Sequence, residues 1–181
     1  MAKYRIAIVG FGVVGRGIGS ILHEKKDFLK LVPQARRLLE NYELEIEIPV
    51  DVAIEENGKR KEISVKNLPV DPMLLDIGSE TAQNYSEIIR KARTIVVKGP
   101  AGVYEKSGFE LGTKRILEEV ADSEAFSLIG GGDTLLAIER LGIDRRKFSH
   151  ISLGGGALIT FLSGKQMPGV EVLKRAARKI S

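Results

Sequence analysis

Three short apolar runs in the second half of the chain end in glycine: "TIVVKGPAG" (94–102), "FSLIGGGD" (126–133) and "HISLGGGA" (150–157). A run of four or five residues bounded by glycine fits a strand buried on both faces better than a helix. The second and third runs pass from their glycines straight into stretches of helical periodicity. Strand, glycine loop and helix in that repeating order define βαβ units and a parallel sheet.

The rest of the chain extends the same pattern. Strands are expected at 4–9, 44–54, 61–66, 73–76, 94–97, 126–129 and 150–153, and helices at 13–25, 34–41, 80–91, 109–121, 134–141, 157–162 and 170–180. Pro33 suits the first turn of the second helix, and Ser79 is expected to cap the third. Glu56-Asn57-Gly58-Lys59 reads as a tight hairpin turn, because Asn-Gly supplies two positive-φ positions. The expected fold class is α/β: a three-layer, Rossmann-like domain with a mainly parallel sheet of about six strands plus a small β-hairpin. The 181 residues suffice for one such domain, and no linker divides them (1–181).

Composition narrows the chemistry. The absence of cysteine removes disulfides, thiolate metal sites and a cysteine nucleophile, and two histidines do not make a zinc site. The net charge of +4 favours anionic ligands without arguing for nucleic acid. No apolar run approaches the roughly 20 residues that span a membrane, and the first residues lead directly into a strand. A cytoplasmic protein is expected. Abundant Lys, Arg and Glu is a composition found in heat-adapted proteins.

In a parallel α/β sheet, ligands bind beyond the carboxyl ends of the strands. All three glycine loops are expected there: Lys98 to Glu105, Ile129 to Thr134, and Leu153 to Ala157. Glycine lets the backbone approach an anion, and helix N-termini present unpaired N–H groups. A glycine triplet taken alone is most often only a tight turn, and Asp133 would serve equally as a helix cap. Two such loops on neighbouring strands nevertheless suit a phosphate. Asp133 would repel that phosphate unless a cation lay between them, which a magnesium nucleotide provides.

A fourth glycine motif opens the chain. In "IAIVGFGVVGRGIG" (6–19), Gly10, Gly12 and Gly15 have the G-x-G-x-x-G spacing of a dinucleotide site. Such a site also needs an acidic residue about 20 positions further on, at the end of the second strand. Ala35 stands there, inside a helix, and the next strand ends near Asp51. A full NAD(P) site is therefore not expected. Gly10, Gly12 and Gly15 remain candidates for binding an anion at the N-terminus of their helix.

From about residue 31 to 176 the chain resembles the C-terminal half of phosphoglycerate kinase, especially the archaeal kind. The resemblance rests on "IPVDVAI" (48–54), "LLDIGSET" (74–81), "GPAGVYE" (99–105), "IGGGDT" (129–134), "HISLGGGA" (150–157) and "SGKQMPGVEVL" (163–173), in that order. It implies Mg²⁺ with ADP or ATP as ligand. Leu75 would help line an adenine pocket, and Glu105 would bond the ribose hydroxyls. Lys98 and Gly99 would lie near the phosphates, with Gly131, Gly132 and Thr134 facing them and Asp133 turned towards Mg²⁺. Gly154, Gly155 and Gly156 would match the loop that stabilises the transferring phosphoryl group, although no catalytic residue is expected to be intact.

The departures are specific. Lys98 stands where the family often has Asn, and Leu153 where it usually has Thr. The lysine-bearing "GGAK"-type loop and the phosphoglycerate-binding half have no counterpart in the sequence. Residues 2–29 instead resemble the opening of homoserine dehydrogenase, which implies a chimera joined near residue 30. The expected function is MgADP or MgATP binding without complete kinase activity. A recombined fold with no ligand, and an NAD(P)-binding oxidoreductase fragment, are the alternatives. The expected partner is a small nucleotide, with no nucleic acid and no membrane, and an open sheet edge would leave room for a homodimer.

Overall fold

The computed structural model describes residues 6–9, 32–41 and 46–180. Strands β1 (Ile6–Val9), β5 (Thr94–Lys98), β6 (Phe126–Gly130) and β7 (His150–Ser152) form a four-stranded sheet in the order β1-β5-β6-β7. All its pairings are parallel: Ile6 faces Thr94, Thr94 faces Phe126, and Leu128 faces His150. A second, three-stranded sheet has the order β3-β2-β4, built from β2 (Asp51–Glu56), β3 (Lys59–Ser64) and β4 (Leu74–Ile77). Both of its pairings are antiparallel. The helices are α1 (Val32–Asn41), α2 (Ser79–Arg90), α3 (Leu111–Asp122), α4 (Gly132–Arg140), α5 (Gly155–Leu162) and α6 (Pro168–Ile180).

The division into two sheets corrects the expectation of one mainly parallel sheet of about six strands. The strand expected at 73–76 forms as β4 but pairs antiparallel with β2. β2 lies between β3 and β4 and runs opposite to both, and the segment from β3 to β4, which carries the short 3-10 turn Val65–Asn67, brings the chain across to the far edge of β2. Of the strand expected at 44–54, residues 46–49 have no regular structure and β2 begins at Asp51, while residues 44 and 45 lie outside the described residues. The hairpin turn forms as expected, with positive φ at Asn57 (53°) and Gly58 (74°). The helix expected at 13–25 lies outside the described residues.

The core is set by side-chain periodicity. In β5, Ile95, Val96 and Val97 are all buried, as a central parallel strand covered on both faces requires. Helix α2 turns Ala82 and Ile89 inward, and α3 contributes Ile116, Leu117 and Val120. These join Ile129, Ala137 and Ile138 from β6 and α4 in one apolar cluster. Ile89, Ile95, Ile129 and Ile138 are 0% exposed. Burial of each side chain is worth about 1.5–3 kcal/mol. Phe109, expected inside α3, instead precedes it as a buried anchor at the end of the loop.

Ser79 does not cap α2. Gly78 holds the cap position, and the Ser79 hydroxyl donates to Glu62 at 2.6 Å. The unpaired N–H groups of Glu80 and Thr81 donate instead to the carboxylate of Asp51, at 3.1 and 2.8 Å. The cap therefore comes from a neighbouring strand rather than from the helix's own sequence.

Candidate functional site

The carboxyl ends of β5, β6 and β7 lie side by side, and a chain of hydrogen bonds ties their loops together. The Gly99 N–H donates to Thr134 Oγ1 at 2.7 Å, and that hydroxyl donates to the Gly130 carbonyl at 3.1 Å. The Gly131 N–H donates to the Ser152 carbonyl at 2.9 Å. Gly99 and Gly131 adopt φ of 85° and 97°, which favour glycine at both turns. Helix α4 begins immediately after Gly131, so the first-turn N–H groups of Gly132 and Asp133 open at the same place.

Gly132 and Gly156 differ from glycines that a fold needs for packing. Both lie in the first turn of a helix, and a Cβ added at either would meet nothing within 4 Å; the same holds for Gly169 in α6, which does not follow a strand of the parallel sheet. Neither crowding nor a positive φ requires glycine at Gly132 or Gly156. Gly154, by contrast, faces the Ala157 Cβ at 3.5 Å.

The other residues singled out from sequence divide into two groups. Asp133 is exposed in the first turn of α4. Among the described residues no group of three His, Cys, Asp or Glu could hold a metal ion. Asp133 therefore offers one carboxylate, which fits Mg²⁺ held jointly with phosphate oxygens rather than in a protein cage. Lys98 ends β5, half-buried. Thr134 is 0% exposed and its hydroxyl is committed to Gly99 and Gly130. In this geometry it joins two loops rather than facing the opening. Gly10, Gly12 and Gly15 lie outside the described residues.

Leu75 lies in β4 of the antiparallel sheet, and Glu105 on the loop after β5. The Leu75 carbonyl accepts from the Val103 N–H at 2.7 Å, which fastens the loop after β5 to β4. Glu105 is exposed on that loop, and its carbonyl accepts from Arg140 Nη2 at 3.0 Å. Because Gly99 bonds Thr134 in the first turn of α4 and Glu105 bonds Arg140 in the last, the loop between them runs along the helix.

Sequence reasoning missed the charged cluster beneath this loop. Arg60 Nη1 donates to Asp76 Oδ2 at 2.8 Å and to the Gly108 carbonyl at 2.9 Å, and Nη2 donates to the Ile77 carbonyl at 2.8 Å. Asp76 Oδ2 also accepts from the Gly112 N–H at 2.9 Å. Burial pushes the Asp76 carboxyl above its ordinary value, against the opposing pull of Gly112 and Arg60. Burial also acts to raise Glu62, but hydrogen bonds from Ser79 and Arg60 hold it below the usual carboxylate range. Arg60 lies in β3 in a stretch rich in charge, "KRKEIS", which gives no local sign of a buried ion pair.

One expected outcome follows from the Thr134 junction. Thr134→Val keeps the shape but leaves the buried Gly99 N–H without its acceptor, at a cost of about 1–3 kcal/mol. Thr134→Ser retains the hydroxyl and should recover most of that loss. Denaturant unfolding of the two variants checks this, and equal stability would remove the hydroxyl from the junction.

A parallel α/β sheet with glycine loops gathered beyond its strand ends defines the class of fold, one whose members as a rule bind ligands at that edge. The sequence profile of phosphoglycerate kinase matches residues 6–165, and the chain belongs to the phosphoglycerate kinase family. It is 44% identical over 155 residues to phosphoglycerate kinase of Methanothermus fervidus, covering 86% of this chain and 37% of that protein. It is 41% identical over 177 residues to phosphoglycerate kinase 1 of Methanosarcina acetivorans, covering 96% and 42%. The crystal structure of phosphoglycerate kinase from Pyrococcus horikoshii OT3 superposes with a TM-score of 0.78 at 35% identity, covering 92% of this chain and 43% of that one. The chain thus spans about two-fifths of the length of these relatives.

The family match corrects the expectation of a chimera. It begins at residue 6 and takes in the stretch likened to homoserine dehydrogenase, so a join near residue 30 has no support. In the fold, β1 pairs with β5 as part of the same parallel sheet.

Proposed function

We propose that this chain binds MgADP or MgATP across the carboxyl ends of β5, β6 and β7. The observation that carries the reading is the place of Gly132 and Gly156, which border open space in the first turns of the helices that follow β6 and β7. A backbone left bare where no neighbour requires it suits close approach by a ligand. The first turn of α4 supplies N–H groups and the positive end of its dipole to phosphate oxygens. Lys98 adds positive charge at the end of β5. Asp133 would hold Mg²⁺ jointly with the phosphates, and the ion would neutralise their charge when bound. Gly154, Gly155 and Gly156 would face the terminal phosphoryl group, and Leu75 and Glu105 would receive the base and the ribose. Membership of the phosphoglycerate kinase family supports a nucleotide as the ligand.

The reading is one of binding. A phosphoglycerate site is proposed to need residues beyond the two-fifths of the relatives that this chain spans. A coupled assay of the 181-residue chain with ATP and 3-phosphoglycerate is expected at background.

Calorimetric titration with ADP tests the binding. With Mg²⁺ the chain should release or absorb heat and melt higher, by the linkage between ligand and folded state. Asp133→Ala should weaken binding about tenfold in Mg²⁺, the loss of roughly 1.4 kcal/mol, and change it little in EDTA. No heat and no melting shift at millimolar MgADP would overturn the reading. Unchanged titration of the variant would remove Asp133 from the site.

A further inference from the structure

We infer that Arg60 and Asp76 are positioning residues that hold the Glu105 loop against the Leu75 strand edge, and so set ribose recognition; this rests on the nucleotide reading above. Neither residue belongs to a glycine loop. Arg60 comes from β3 and Asp76 from β4, in the antiparallel sheet.

The loop from Gly99 to Glu110 is pinned at both ends by groups that meet at this pair. At its first end, the Val103 N–H donates to the carbonyl of Leu75, the residue before Asp76, at 2.7 Å. At its far end, the Gly108 carbonyl accepts from Arg60 Nη1 at 2.9 Å. Between them the loop folds on itself, with Lys106 N–H to the Val103 carbonyl and Phe109 N–H to the Lys106 carbonyl, both 2.9 Å. Glu105 rides at the middle of this closed stretch. Phe109 is 2% exposed, with the Arg60 guanidinium carbon 5.8 Å and the Lys106 nitrogen 5.4 Å from its ring centre.

The arrangement needs a fork and a carboxylate. The planar guanidinium reaches Asp76, Gly108, Ile77 and Glu62 at once, and a lysine has no geometry to replace it. Asp76 accepts from Arg60, from the Gly112 N–H at the start of α3 and from its neighbour Ile77. It therefore joins the far end of the loop to the helix that follows. Gly102 and Gly112 sit so close that a Cβ on either would overlap the Asp76 carboxylate. The loop, β4 and α3 are thus fitted around one ion pair. Buried pairs of this kind contribute geometry more readily than net stability.

The experiment compares MgADP with Mg-2′-deoxy-ADP on the full chain, using the parent, Arg60→Met and Arg60→Lys. The parent should prefer MgADP several-fold, through the ribose hydroxyl that Glu105 meets. Arg60→Met should bind both ligands alike, with MgADP weakened by that same several-fold factor and Mg-2′-deoxy-ADP little changed. Arg60→Lys, which keeps charge and stem without the fork, should fall between, and it decides the matter if Arg60→Met does not fold. Hydrogen exchange at the amides of 103–108 should quicken in both variants while α4 stays protected. A variant that keeps the parent's preference for the 2′-hydroxyl overturns the inference, because a general loss of stability would lower both affinities together. A parent that binds both ligands equally overturns it as well. A parent that binds neither overturns the nucleotide reading itself, and this inference with it.

Discussion

Gly102→Ala is expected to melt roughly 6–12 °C lower than the parent, the consequence of a loss of about 3 kcal/mol in a chain of this size. The new Cβ would overlap the Asp76 carboxylate and lie 2.8 Å from the Asp76 Cα. A clash with a flexible side-chain tip is relieved by rotation. This one includes the backbone of β4, and Asp76 is held by Arg60, Gly112 and Ile77. The loop after β5 would have to lift from the strand that carries Leu75, breaking the Val103–Leu75 hydrogen bond. Gly132→Ala provides the contrast. Its Cβ would meet nothing within 4 Å, and alanine is the better helix former. It should melt no lower than the parent yet lose MgADP binding. Thermal unfolding and titration of the two variants separate a glycine kept for packing from one kept for a ligand. A fall of less than about 2 °C for Gly102→Ala would show that loop and strand have room between them.

Asp51→Ala is expected to cost about 2–3 kcal/mol, a fall in Tm of roughly 4–12 °C. The carboxylate accepts from the N–H groups of Glu80 and Thr81 at the start of α2, and from the Thr81 hydroxyl. The residue is 9% exposed, so water cannot readily take its place. Gly78 carries no side chain, because a Cβ there would overlap the same carboxylate. Asp51→Asn keeps one acceptor oxygen and should recover part of the loss. Urea unfolding measures both, and an Ala variant as stable as the parent would show that α2 is capped by other groups.

Much of the secondary structure was legible because it depends on local pattern. The apolar runs 94–97, 126–129 and 150–153 became β5, β6 and β7 within a residue or two. The Asn57-Gly58 turn formed where the dipeptide demanded positive φ. What failed was assignment that depends on distant partners. The strand at 73–76 was visible, but not its antiparallel bond to β2. Ser79 looked like a cap because serine caps many helices, yet Asp51 arrives from 29 residues away in sequence to accept from Glu80.

The candidate site shows the same division. Glycines followed by helical periodicity, with Asp133 in the first turn, could be read directly, since anion binding by a helix start is itself local. Thr134 could be picked out, but not its role. Its hydroxyl spans from Gly99 to Gly130, a contact that exists only once β5 and β6 are neighbours. Arg60 and Asp76 were passed over because Arg60 fell between the expected turn and the strand at 61–66, and Asp76 at the end of the strand expected at 73–76.

By itself, then, the sequence determined the parallel βα succession, the glycine loops at its strand ends and the family they belong to, because periodicity, turn chemistry and ordered motifs are carried within short windows. Tertiary structure alone decided that β2, β3 and β4 form a separate antiparallel sheet, that Asp51 caps α2, and that Arg60 and Asp76 close the Glu105 loop. Those outcomes turn on buried polar groups finding partners far along the chain, and no local window contains both members of such a pair.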